Sequence, residues 1–247
     1  MNALVVGAGA MGQWLGDVLS AELASEVSLA FADADRQAAE AAAASHDADV
    51  QAAPGDAVAD LVCIAVPIPA ASAAIETWAP ASGSAIVDVT GTMAAPLDAM
   101  REHAPDRERA SFHPLFAPAH EPGNVAVVVD GGGPHVDRLR DAIQARGNAL
   151  YDTTASEHDE AMETVQAKTH AAVLAYALAA DPVPDALHTP ISAGLQDLVE
   201  QVTGGDPRVY GDIQAAFDGA DDVAAAARRL ADADKSAFER LYEDAGE

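Results

Sequence analysis

Ala3-Leu4-Val5-Val6-Gly7-Ala8-Gly9-Ala10-Met11-Gly12 is the stretch whose reading decides the fold. Its apolar start reads as a strand, its glycines as a turn, and Leu15, Val18, Leu19 and Leu23 then recur at helical spacing. In such a unit the first glycine permits a tight turn and the second lets the backbone approach a pyrophosphate. The third lets helix and strand pack closely. The helix N-terminus then meets phosphate charge with free N–H groups and the positive end of its dipole. An acid, Asp33, follows the next strand about 20 residues past the last glycine, the spacing at which a carboxylate meets a ribose. Gly7, Gly9, Ala10, Met11, Gly12 and Asp33 are therefore expected to hold a dinucleotide. An acid at position 33 accepts from both ribose hydroxyls and repels a 2′-phosphate, which favours NAD over NADP. Asp35 is the alternative acid, read otherwise as a helix cap, and Arg36 is the residue that would cradle a 2′-phosphate.

Outward from this unit, apolar runs at 27–31, 61–66, 85–89 and 125–129 alternate with alanine-rich helical stretches. Strands alternating with helices imply βαβ units and a doubly wound parallel sheet, a Rossmann-type α/β domain. Val66-Pro67 ends one of these runs, where a parallel sheet places cofactor contacts; it reads otherwise as a simple strand terminator. After Tyr151 the pattern turns wholly helical. Ser156 with Asp159 resembles a helix start, and one long helical run carries Met162, Val165, Thr169, Val173 and Tyr176. Further helical stretches fall at 191–202, 207–217 and 221–242. The boundary is expected near 152, with residues 1–152 as the dinucleotide-binding domain and 153–247 as an all-α domain.

The 247 residues carry 13 Lys plus Arg against 40 Asp plus Glu, a formal net charge of −27. Such a surface repels phosphate backbones and anionic headgroups, which excludes nucleic acid and membrane surfaces as expected partners. With 60 alanines and only two lysines, Lys168 and Lys235, the composition resembles that of a salt-accumulating halophile. Self-repulsion fades where the Debye length shrinks to roughly 3 Å in about 1 M salt. Cys63 stands alone, so no intrachain disulfide is expected. No basic leader precedes the first strand, and the longest apolar stretch, 171–180, is shorter than the roughly 20 residues of a membrane span. A soluble cytoplasmic protein is the expectation. No Cys, His and acid spacing suggests a metal site.

Ser111-Phe112-His113-Pro114-Leu115-Phe116-Ala117-Pro118 places a histidine on what reads as a proline-fixed turn between a helical region and the strand near Val125. A neutral imidazole there could accept a substrate hydroxyl proton as hydride leaves the adjacent carbon. Downstream, His158-Asp159, Met162, Val165-Gln166 and His170 share one helical run. On a straight helix Met162, Gln166 and His170 lie one above another, drifting about 40° per step. His158 is then rotated away from His170 and braces or caps the helix.

These two motifs resemble the HPMFGP-like segment and the HDxxMxxIQxxxH helix of the prephenate dehydrogenase family. Asp88-Val89-Thr90-Gly91-Thr92-Met93-Ala94-Ala95-Pro96-Leu97 runs parallel to that family's D-x-x-S-V-K-x-x-P-L segment, and the likeness extends over essentially the whole chain. The resemblance implies a Rossmann domain followed by a helical domain that dimerises, and oxidative decarboxylation of prephenate with NAD, toward tyrosine. It puts the catalytic histidine at His113 and a substrate-binding histidine at His170, with Gln166 on the same face; Thr90 and Thr92 flank the position of the family's serine and could supply its hydroxyl.

Three positions depart from the family pattern. Its serine falls on Gly91, its lysine on Met93, and an arginine that clamps a carboxylate falls on Ala193. A bidentate arginine is the natural partner of a dicarboxylate substrate, and Lys168, Arg208 or a residue of a second chain are the replacements considered. Arogenate is a close variant substrate. The same architecture also serves β-hydroxyacid and imine dehydrogenases, and a non-catalytic NAD-binding subunit is a third reading.

Overall fold

The computed structural model describes residues 1–23, 26–55 and 57–246. The chain divides into two compact units, Met1–Asp159 and Glu160–Glu247, so the first unit runs past the end of the last strand at Asp152. The first contains β1 (Asn2–Val6), α1 (Ala10–Glu22), β2 (Ser28–Ala32), α2 (Arg36–His46), β3 (Asp49–Val50), β4 (Ala59–Ile64) and α3 (Ala71–Trp78). There follow β5 (Ser82–Asp88), α4 (Ala94–His103), β6 (Glu108–Pro114), β7 (Asn124–Gly131), α5 (Pro134–Ala145), β8 (Ala149–Asp152) and the start of α6 (Ala155–Met162).

The strands form one sheet in the order β3-β2-β1-β4-β5-β6-β7-β8. Its first six strands are parallel and follow the Rossmann order, whose ligands sit outside the carboxyl ends of the strands. β6 and β7 pair antiparallel, with His113 opposite Ala126, and β8 lies parallel to β7. The sheet is thus mixed and mostly parallel, whereas the sequence reads as wholly parallel. The difference arises at β6, which reads as a proline-fixed turn although its Ser111, Phe112 and His113 are all buried in the sheet.

Alternation along each strand divides the core into two layers. Ala3, Val5, Leu61, Cys63, Ala85 and Val87 face Trp14, Leu15, Val18 and Leu19 of α1 and Val136, Leu139 and Ile143 of α5. Leu4, Val6, Val62, Ile64 and Ile86 face Ile75 of α3 and Leu97 and Met100 of α4. This is why the central strands read as continuous apolar runs: each residue meets a helix on one side or the other.

The second unit contains a π-helical turn at Glu163–Lys168, α7 (Thr169–Ala179), α8 (Pro190–Thr203), α9 (Pro207–Ala216), α10 (Gly219–Ala231) and α11 (Lys235–Asp244). The single run read over 162–180 is therefore interrupted. Gln214 of α9 donates to the Ala167 carbonyl at 2.8 Å inside the wide turn. Gly219 packs against the same turn, where a Cβ would lie 2.6 Å from Lys168 N. The stretch read over 221–242 is two helices, because Asp234 caps α11 by accepting from Ala237 N. The α6 start also differs from the expected Ser156 with Asp159. Thr154 and Glu157 form the reciprocal cap, with Glu157 N donating to Thr154 Oγ1 and Thr154 N donating to Glu157 Oε2.

The turn between β6 and β7 is held by a half-buried ion pair. Arg146, at the end of α5, forks onto Glu121, and Asn148 Nδ2 donates to the same carboxylate at 2.7 Å. The Arg146 hydrogen bonds hold the Glu121 carboxyl down at about 2. Because that lies below the unfolded value, the stabilisation is complete above roughly pH 5 and is lost as pH falls towards about 2. Glu121→Gln should lower unfolding stability by about 2 kcal/mol at pH 7. It should also flatten the acid limb of stability, as measured by urea unfolding between pH 7 and 2.5.

Candidate active site

The glycine turn closes tightly on the sheet. Gly7 has a φ of +103°, and a Cβ there would lie 2.2 Å from the Ala65 carbonyl oxygen; at Gly12 it would lie 1.8 Å from that of Gly7. Gly9 is different, since a Cβ there would meet nothing within 4 Å. The fold has no need of a glycine at that position, and the space it leaves open lies beside the N-terminus of α1. That helix end has no side-chain cap and no acid in its first turn, which includes the exposed Ala10 and half-buried Met11. A backbone cradle of this kind fits the pyrophosphate of a dinucleotide.

Asp33 lies just past β2. Its Oδ2 accepts from Ala8 N at 2.7 Å and its Oδ1 from Asp35 N at 2.8 Å, so the carboxylate is held against the glycine turn. Asp35 is the N-cap of α2, accepting from Gln37 N at 2.9 Å. Arg36 is paired with Glu40 at 2.7 Å, an arrangement that sets a carboxylate beside the one arginine suited to a 2′-phosphate. Val66 is half-buried past β4, and Pro67 is exposed at the head of a short 3₁₀ turn, Ile68–Ala70.

His113 sits inside strand β6 rather than on a loop, 7% exposed and facing the layer opposite Phe112. Its Nδ1 lies 2.9 Å from His158 Nε2. His158 is 3% exposed, and its Nδ1 lies 2.8 Å from Asp159 Oδ1. Asp159 also accepts from Met93 N at 2.9 Å and Ala94 N at 3.0 Å, capping α4. The Nε2 atom of His113 lies 3.8 Å from the point where a Gly91 Cβ would stand. Burial, reinforced by His158, pushes His113 down to about 3, so the imidazole is neutral near pH 7. Burial alone would raise Asp159; hydrogen bonds from His158, Met93 N and Ala94 N hold it below the ordinary value.

Thr90 is buried at the start of the β5–α4 loop. Its hydroxyl lies 2.5 Å from Asp88 Oδ2 and 2.9 Å from the Thr92 carbonyl oxygen, and its N–H donates to the same Asp88 oxygen. The Thr90 hydroxyl therefore holds the loop, while Thr92 is half-buried beyond it. Asp88 is fully buried and pushed up to about 7 by burial, with the Thr90 bonds opposing the rise.

In the helical unit, the π-turn changes the geometry expected for Met162, Gln166 and His170. An i→i+5 turn accommodates an extra residue, so the regular drift of a straight helix does not run through it. Gln166 lies inside the turn and His170 just after it, half-buried, with the Tyr210 ring set edge-on at 4.8 Å between centroids. Burial lowers His170, whose Nδ1 is enclosed. Lys168 is held by Glu163 at 2.9 Å and Asp222 at 2.8 Å, and Arg208 by Asp206 at 2.8 Å, so both basic residues considered for a substrate carboxylate already carry carboxylate partners.

The sequence gives His158 a bracing role, Asp159 a place in the helix start and Asp88 a place in a motif, and none of the three a place in the site. The available signal is the His158-Asp159 pair itself, two adjacent polar residues at the start of a helical run.

A mostly parallel Rossmann sheet with a glycine cradle and a buried histidine at its carboxyl edge defines a nucleotide-dependent dehydrogenase architecture. No protein-family model matches the sequence. A curated relative, 4-amino-4-deoxyprephenate dehydrogenase of Streptomyces pristinaespiralis, is 34% identical over 218 residues, 84% of this chain and 69% of the relative. Prephenate dehydrogenase of Aquifex aeolicus, solved with hydroxyphenyl propionate and NAD+, aligns with a TM-score of 0.75 at 14% identity, covering 98% of this chain and 92% of that one. Synechocystis arogenate dehydrogenase aligns at 0.64 and 18% identity, covering 100% and 98%. The chain belongs to the prephenate/arogenate dehydrogenase family of oxidoreductases. Because a Cβ at Gly9 would touch nothing, Gly9→Ala should leave Tm within about 2 °C while weakening NAD binding about tenfold or more by calorimetry. Unchanged affinity would remove this turn from the cofactor site.

Proposed function

We propose that the chain oxidatively decarboxylates prephenate with NAD, making 4-hydroxyphenylpyruvate for tyrosine, in the cytoplasm and as a homodimer. The observation that carries this reading is the buried His113 imidazole, hydrogen-bonded at Nδ1 with Nε2 turned toward the Gly91 loop. Gly7, Gly9, Ala10, Met11 and Gly12 would hold the pyrophosphate, Asp33 the ribose, and Val66 and Pro67 would line the site. NAD bound there supplies the acceptor for the hydride that leaves ring carbon C4.

His113 takes the C4 hydroxyl proton at Nε2 as the carbon is oxidised. Loss of the ring carboxylate as CO₂ restores aromaticity, and His113 returns the proton to the resulting phenolate oxygen. No net proton is released. The substrate carries most of the driving force, so the chain's task is alignment and polarisation of the hydroxyl. His170, Gln166 and Thr92 would bind the substrate, with Thr90 shaping the loop.

A second reading, 4-amino-4-deoxyprephenate, is favoured by the relative's own substrate and by Gly91, where the family's serine would set a hydroxyl beside the C4 substituent. An amine there also donates to Nε2. Arogenate retains the hydroxyl and differs at the side chain.

Dimerisation through the helical unit is supported by its exposed apolar side chains, among them Leu178 (89%) and Ile191 (80%). A second chain would also bring the basic group that Ala193 does not supply. Salt adaptation is supported by the charge of −27.

His113→Asn should lower kcat about 100-fold or more with NAD affinity unchanged, read by NADH absorbance with prephenate, arogenate and the 4-amino analogue in low and molar KCl. Near-normal turnover by that variant would sink the assignment. Prephenate should be the best substrate, with activity and Tm rising in molar KCl. Sedimentation should give a dimer, and Leu178→Glu with Ile191→Glu a monomer.

A further inference from the structure

We propose that His113, His158 and Asp159 form a two-histidine proton relay in which the substrate's proton is held on the His158–Asp159 pair during turnover. This rests on the reading of His113 as the group that takes that proton. The hydrogen-bond network sets the protonation pattern. Asp159 is an acceptor that already binds Met93 N and Ala94 N, so His158 must present Nδ1–H to it. His158 Nε2 is then an acceptor, and the proton in its 2.9 Å bond to His113 must come from His113 Nδ1. The lone pair of His113 is thereby directed to Nε2, on the side of Gly91.

This arrangement resolves a difficulty in the site. Burial keeps His113 neutral, pushed down to about 3, so a lone imidazole here would hold a proton poorly at neutral pH. With the relay, the substrate O–H bond breaks and an N–H bond forms at His113 Nε2. The N–H at His113 Nδ1 breaks and one forms at His158 Nε2. Hydride leaves C4 with its electron pair to the oxidised nicotinamide, as in the proposed reaction. The positive charge then lies on His158, directly against the Asp159 carboxylate, instead of on His113. When CO₂ departs, the two transfers reverse and the phenolate oxygen recovers its proton, so protons and electrons balance.

Asp159 on α6 faces the pair, and Asp88 at the end of β5 interacts in turn with Asp159. Asp88 is buried and pushed up to about 7, so the anionic anchor of the relay is Asp159. Its carboxylate also caps α4, which makes Asp159 a poor site for a diagnostic substitution. His158→Gln is the informative variant. A glutamine can donate to Asp159 and accept from His113 Nδ1, keeping His113 oriented, but it cannot take up the proton.

The test combines 15N NMR of the histidine rings in the chain without ligands and steady-state kinetics of His158→Gln. The relay predicts His113 and His158 both protonated at Nδ1 and bare at Nε2 at pH 7.5. It also predicts that His158→Gln lowers kcat about 10- to 100-fold, with KM and NAD affinity within twofold and an altered pH profile of kcat. A His113 protonated at Nε2, or a variant with unchanged kcat and pH profile, overturns the relay. The ring protonation is read without substrate or cofactor, so failure of the functional reading shows separately, as normal turnover by His113→Asn.

Discussion

The Asp159 carboxylate accepts hydrogen bonds from Met93 N, Ala94 N and His158 Nδ1, and these three contacts, with the His158–His113 bond beyond them, join α4, α6 and strand β6. A carboxylate removed from water keeps its charge only where such donors replace its hydration. Here two of them are the free N–H groups of a helix start, whose dipole also favours an anion. The same contacts hold the β5–α4 loop at its far end, while Asp88 holds its near end through Thr90. Gly91 lies between the two anchors, next to His113 Nε2. Loop, helix and histidine are thus positioned by two carboxylates of different character, one kept charged by its donors and one pushed up by burial.

The glycine turn proposed for the cofactor is built on a different principle. Gly7 and Gly12 are required by backbone approaches that no Cβ survives, whereas Gly9 is required by nothing in the chain itself. Asp33 fastens the turn to the end of β2 through Ala8 N, so the acid and the cradle are a single hydrogen-bonded element. In a chain of net charge −27, the α1 N-terminus offers free N–H groups with no acid in its first turn, while Arg36 carries a carboxylate partner.

Legibility in the sequence followed burial and periodicity. The strands with helices on both faces, β1, β4, β5 and β7, are readable because their central residues are apolar toward both layers. Strand β6 is not, because its Ser111 and His113 satisfy their polarity inside the molecule rather than at its surface. The π-turn is not legible because the residues of 163–168 have no composition that distinguishes i→i+5 from i→i+4 bonding. Thr154 with Glu157 is a better capping pair than Ser156 with Asp159, and the latter's carboxylate is committed to α4 instead.

The alternation of apolar strands with helices, the glycine turn with its acid at Asp33, the histidine motif and the charge were all determined by the sequence alone, because each depends on neighbours in the chain or on composition. The pairing of His113 with His158, the capping of α4 by Asp159, and the neutralisation of Lys168 by Glu163 and Asp222 were decided only by tertiary structure. His113 and His158 lie 45 positions apart, and Met93 and Asp159 lie 66 apart. No local propensity encodes such contacts; they arise when the sheet and helices pack and each buried polar group must find a partner away from water.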